Sequence, residues 1–165
     1  MPARPDQYIA GRWVPVEGEP FVSRAPWSGN EVWSGAAASA DQVAAAFRGA
    51  AATAPAWADL THEDRVGALR SVRAVLLERR AGVAGLIAEE TGKVLAEARQ
   101  EATGLAAKID ATLEAWEERR SEERIDLPRD QRGIVRYKPH GPLAILGPFN
   151  LPGHLIQGHL APALL

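Results

Sequence analysis

The chain has 165 residues, of which 46% are hydrophobic and 24% charged, with a formal net charge of −2. That length suits one domain able to bury roughly 70% of its unfolded surface, and the near-neutral balance gives no electrostatic reason to expect nucleic acid or an anionic membrane as a partner. Cysteine is absent, which excludes a disulfide, a thiolate metal site and a cysteine nucleophile drawn from these residues.

No stretch approaches the ~18 apolar residues of a spanning helix. The opening MPARPDQYIAGRW lacks the apolar core of a secretory signal, so a cytoplasmic protein is expected. Tyr8 to Val14 (YIAGRWV) and Val32 to Ala36 read as short strands around a Pro/Ser/Gly-rich loop, APWSGNE. Ser39 with Gln42 three residues on forms a capping-box signature, and the alanine-rich helix it opens is expected to end or break at Pro55. Thr61 and Asp64 repeat the signature. Val66, Leu69, Val72, Leu76, Val83, Leu86 and Ile87 then recur at helical spacing as one buried stripe, and Gly92 in EETGK is placed to stop that helix in the left-handed conformation.

A third helix carries Leu95, Ala98, Ala102, Leu105, Ile109, Thr112 or Leu113, and Trp116 on one face, and runs out in the solvated EERRSEER. Two strand-like pieces follow, RIDL and GIVRYK, around the turn-forming PRDQR. Because this segment alternates poorly and lies between a charged helix end and Pro139, it is expected as an antiparallel arm from Glu122 to Lys138. PLAIL, after His140-Gly141, has the continuous apolar pattern of a strand buried on both faces in a parallel sheet.

The end of the chain, GPFNLPGHLIQGHLAPALL, therefore sits where a strand empties into a loop and a helix, the place where open α/β sheets bind ligands. Its chemistry can be narrowed. Gly147 and Gly153 are six apart and followed by His154, so this is no phosphate loop, and the dinucleotide fingerprint G-x-G-x-x-G is missing. His154 and His159 lie five apart, about 500° around a helix, and do not share a face as metal ligands would; no metal site is expected. Asn150, between two proline-containing elements, can hold its amide N–H at a fixed point as an oxyanion hole requires, though a loop asparagine satisfying a turn has the same composition.

YKPHGPLAILGPFNLPGHLIQGHLAPALL resembles the strand–loop–helix segment of the NAD(P)-dependent aldehyde dehydrogenase superfamily: an aliphatic strand, Pro-aromatic-Asn-aromatic-Pro, and a helix ending in Ala-Pro-Ala-Leu. The glycine before the first proline and the Gly-His after the second resemble the branch of N-succinylglutamate 5-semialdehyde dehydrogenases of arginine catabolism. EETGK resembles a further family signature and YIAGRWV the family's opening strand. Phe149 stands where Trp or Tyr is usual, and Leu151 where Phe is usual.

The resemblance implies an α/β fold: the N-terminal portion of a cofactor-binding domain, divided as 1–121 (strands and helices), 122–139 (an arm joining a second subunit, hence a homo-oligomer) and 140–165 (first buried strand, asparagine loop and the start of a helix). By the same resemblance Asn150 is the oxyanion-hole residue. Leu146, Gly147, Pro148 and Phe149 lie against the nicotinamide side of NAD, with NADP not excluded, and Leu151 and His154 line the aldehyde tunnel. In the family a cysteine thiolate attacks the aldehyde, hydride passes to the cofactor and a glutamate-activated water releases the acid. That cysteine, that glutamate and the cofactor-gripping lysine lie beyond Leu165, so the chain reads as the first third of such an enzyme and is expected to be inactive alone. A non-catalytic module keeping only scaffold and arm is the alternative.

Overall fold

The computed structural model describes residues 6–119, 123–128 and 131–165. The arm's first residue, Glu122, and the residues 129–130 between its strands lie outside that range. In chain order the elements are β1 (Asp6–Ile9), β2 (Arg12–Pro15), β3 (Pro20–Arg24), β4 (Glu31–Ala36), α1 (Ala40–Ala58), α2 (His62–Thr91), α3 (Leu95–Arg119), β5 (Glu123–Leu127), β6 (Gln131–Val135) and α4 (His154–Leu164). Among the described residues the strands make three two-stranded antiparallel sheets, β1–β2, β3–β4 and β5–β6. The class is mixed α/β.

Several local expectations change. YIAGRWV is a hairpin, not one strand: Ala10 and Gly11 have φ of 47° and 84°, the paired positive values of a two-residue turn that folds Arg12 back onto Ile9. The partner of Val32–Ala36 is β3, which the proline at its start disguises; Pro20 is tolerated there because it opens the strand. Pro55 lies within α1 rather than ending it. A proline forfeits only its own N–H, and its carbonyl still accepts from Asp59 at 3.0 Å near the helix end.

Both capping boxes form. Ser39 accepts from the Gln42 amide, and Gln42, itself buried, accepts from Ser39 and Glu17 and donates to the Pro15 carbonyl at 2.6 Å, tying α1 to β2. Thr61 and Asp64 cap α2 in the same way, and Gly92 ends it at φ 74°.

The core lies where α2 packs along α3 and α3 meets α4. Leu69, Ile109 and Ala161 form its centre, with Leu76, Leu113, Leu164 and Leu165 against it. Val66 and Ile87 of the anticipated α2 stripe are buried, but Val72 and Leu86 are 41% and 51% exposed, as is Leu95 (44%) on α3. One turn after Leu69 stands Arg73, whose Nε meets Asp110 of α3 at 2.8 Å in a partly exposed pair at the edge of the α2–α3 contact. His62 stacks on Trp116 with ring centroids 3.6 Å apart, and the Trp57 indole donates to the Leu164 carbonyl, closing the far end of α4.

Pro142–Leu146 does not form the anticipated buried parallel strand. It has no regular secondary structure, and Leu143 and Leu146 are 61% and 94% exposed. A strand exists only through pairing, and no strand of the described residues lies beside this one.

Candidate active site

The Asn150 loop is built on the N-terminal end of α4. Gly153 is the N-cap and offers no side chain to satisfy the first amides, which in any α-helix lack intrahelical acceptors. The acceptor comes from another helix. Glu101 of α3 takes hydrogen bonds on Oε1 from the Gly153 and His154 backbone N–H groups at 3.0 and 3.2 Å. Its Oε2 accepts from the Lys93 ammonium at 2.5 Å. The Glu101 side chain is 2% exposed and that of Lys93 18%.

EETGK thereby acquires a physical reading. Thr91 accepts from the Lys93 amide, Gly92 turns the chain through a positive φ beside Pro26, and Lys93 is directed back to Glu101. Burial pushes the Glu101 carboxyl upward, but the Lys93 hydrogen bond, the His154 and Gly153 amides and the Lys93 charge outweigh it and hold the carboxyl below its ordinary value. An anion at a helix N-terminus is further favoured by the helix dipole.

Tight packing seats the loop. A Cβ on Gly153 would stand 3.1 Å from Leu105 Cδ2, and one on Gly147 would overlap Ile156 at 2.5 Å. Glycine permits both approaches; a Cβ at either position would require the Leu105 or Ile156 side chain to shift. A Cβ on Gly104 would stand 3.0 Å from His154 Nδ1, so the half-buried imidazole lies against the α3 backbone at that point.

Of the residues singled out from sequence, Gly147, Pro148, Asn150, Leu151 and His154 come together around this helix start. Asn150 sits in an exposed turn, Pro148 and Leu151 are half-buried, and Leu146 and Phe149 project at 94% and 88% exposure. Sequence reasoning missed the roles of Glu101 and Lys93. The signal was present: Glu101 falls between Ala98 and Leu105 on the apolar face of α3, three and four residues from each, where a solvated charge has no place. Among the described residues no helix is long and apolar enough to cross a membrane.

Known proteins share this architecture. Residues 13–165 match the model of the aldehyde dehydrogenase family. An N-succinylglutamate 5-semialdehyde dehydrogenase of Chromobacterium violaceum is 45% identical over 158 residues, 96% of this chain and 32% of its own. A crystal structure of an E. coli NADP-dependent enzyme is 32% identical with a TM-score of 0.89, over 98% of this chain and 34% of that one. An NADP-dependent glyceraldehyde-3-phosphate dehydrogenase from Bacillus halodurans, complexed with NADP, is 27% identical with a TM-score of 0.84, over 96% of this chain and 35% of that one. The chain thus spans about a third of the length of these relatives. With a family match over residues 13–165 and a fold that superposes on solved relatives over 98% of its length, the chain belongs to the aldehyde dehydrogenase family.

Proposed function

We propose that this chain supplies the oxyanion-hole side of an enzyme that oxidises an aldehyde to a carboxylic acid with NAD or NADP, and that the aldehyde is N-succinylglutamate 5-semialdehyde, as in arginine catabolism. The observation that carries the reading is Asn150. It stands exposed in a turn whose following helix is fixed from behind by Glu101, so its amide is available and its backbone held. When a nucleophile adds to the aldehyde carbon, negative charge collects on the carbonyl oxygen. The Asn150 N–H donates to that oxygen, and it does so most strongly in the transition state.

Leu146 and Phe149, apolar and uncovered on either side of Gly147-Pro148, fit the flat nicotinamide side of a cofactor. They exclude water from it, and the bound cofactor supplies the hydride acceptor. The phosphates find no glycine-rich cradle in these residues and would be held elsewhere in the enzyme. Leu151 and His154 line the aldehyde entrance, where an imidazole N–H can donate to the carboxylates of a succinylated substrate; the competing role for His154 is packing of the helix start against Gly104. The nucleophilic cysteine is not in this chain. The second reading is a non-catalytic module that keeps scaffold and arm. The arm itself, β5–β6, exposes Ile125, Leu127 and Ile134 and is suited to extend a sheet of a second copy.

The test is a full-length chimaera in which residues 1–165 replace the equivalent segment of the Chromobacterium violaceum relative. Asn150→Ala should lower kcat by ~10²–10³-fold with KM little changed. His154→Leu should lower kcat/KM for the succinylated substrate relative to a plain alkyl aldehyde. Retention of full kcat by Asn150→Ala would exclude the oxyanion role, and an unchanged substrate ratio in His154→Leu the tunnel role.

A further inference from the structure

We propose that Glu101, held by Lys93, is the positioning residue for Asn150: it caps α4 from a neighbouring helix and so determines where the asparagine loop stands. The inference rests on the oxyanion role proposed above and adds a residue to it. Three donors converge on one buried carboxylate, the Gly153 and His154 amides on Oε1 and the Lys93 ammonium on Oε2. Gly153 is three residues beyond Asn150, and its other near neighbour is Leu105, one helical turn from Glu101 on the same face of α3. The loop's C-terminal side is therefore clamped to α3 by one charged and one apolar contact.

Upstream, Gly147 packs on Ile156, which joins the loop to α4 itself and not to α3. Pro142–Leu146 lacks regular structure, and Leu146 and Phe149 touch little else. Within the loop and first turn, Leu155 donates to the Leu151 carbonyl at a long 3.3 Å. Among the described residues, the Glu101 carboxylate is thus the side chain that ties the helical body to the helix start just after Asn150. One oxygen serves the two helix-terminal amides, the other, as part of an anion, holds the ammonium, and burial excludes competing water. Lys93 compensates a charge that could not otherwise be kept there.

Misplacing a catalytic group by about 1 Å can cost ~10²-fold in rate. In the chimaera, Glu101→Leu is expected to lower kcat by ~10²-fold with KM within about twofold, while Glu101→Gln, which keeps an acceptor oxygen, recovers most of the rate. Lys93→Met, which leaves the carboxylate in place without its cation, should fall between them. In an Asn150→Ala background Glu101→Leu should cost little more, because a residue acting through Asn150 has nothing further to lose. Deuterium uptake by a peptide covering residues 147–157 should quicken by ~10-fold in Glu101→Leu, with α1 peptides unchanged. Losses that multiply in the double variant, or unchanged uptake in 147–157, overturn the proposal. A wild-type chimaera that oxidises no aldehyde defeats the functional reading instead, and the exchange measurement on the same variants then decides the clamp by itself.

Discussion

Glu101 carries two opposing effects, and their balance predicts a pH dependence. Burial disfavours its charge, while Lys93 and two helix-terminal amides favour it, and the net effect is a carboxyl held below its ordinary value. A depressed folded value means that the unfolded chain takes up a proton first as pH falls. The stabilisation is therefore complete above the ordinary carboxylate range and is lost on acidification through the lower folded value. In the chimaera, the thermal midpoint should exceed that of Glu101→Gln at neutral pH, and the difference should shrink as pH drops below the ordinary range. A difference independent of pH between 7 and 3 would show that charge plays no part in the cap. The position of Glu101 on the apolar stripe of α3 was legible in the sequence. Its partners were not, because the Gly153 amide lies 52 residues away and is brought to it by packing alone.

At the scale of elements, helix starts were the most legible feature, since Ser39–Gln42 and Thr61–Asp64 satisfy their orphan amides with residues three apart. Gly92 was equally plain, because only glycine enters the left-handed region at little cost. Pairing was harder to read. Ala10-Gly11 is not among the commonest turn pairs, so a hairpin looked like a strand, and β3 opens on a proline. The β5–β6 hairpin leaves Ile125 and Ile134 at 41% and 50% exposure. If it joins a second copy, replacing both residues with lysine in the chimaera should lower the molar mass measured by light scattering to that of a smaller assembly. An unchanged mass would remove the arm from the interface.

At the scale of the 165 residues together, the oxyanion role proposed for Asn150 calls for a nucleophile that these residues do not contain. An oxyanion donor acts only after attack on the carbonyl, and no cysteine lies between Met1 and Leu165. The 165-residue chain by itself should therefore produce no NADH or NADPH from N-succinylglutamate 5-semialdehyde. Its uncovered Leu143, Leu146 and Phe149 should also make it bind a hydrophobic dye and self-associate, more weakly after Leu146→Asp and Phe149→Asp. Turnover by the purified chain would overturn the covalent mechanism.

The sequence by itself determined the family, the capping boxes that start α1 and α2, the glycine that stops α2, the central part of the apolar faces of α2 and α3, and the asparagine between two prolines. Each of these is written in residues close together along the chain. It also indicated a strand at Pro142–Leu146, which the fold does not form, because a strand needs a neighbour to take its amides and carbonyls. Only the tertiary structure decided what stands behind Asn150. Helix α3 crosses the start of α4 so closely that Gly104 and Gly153 can carry no side chain without pressing on His154 and Leu105. That approach delivers the Glu101 carboxylate to two amides with no acceptor of their own, a match set by distance in space rather than along the sequence.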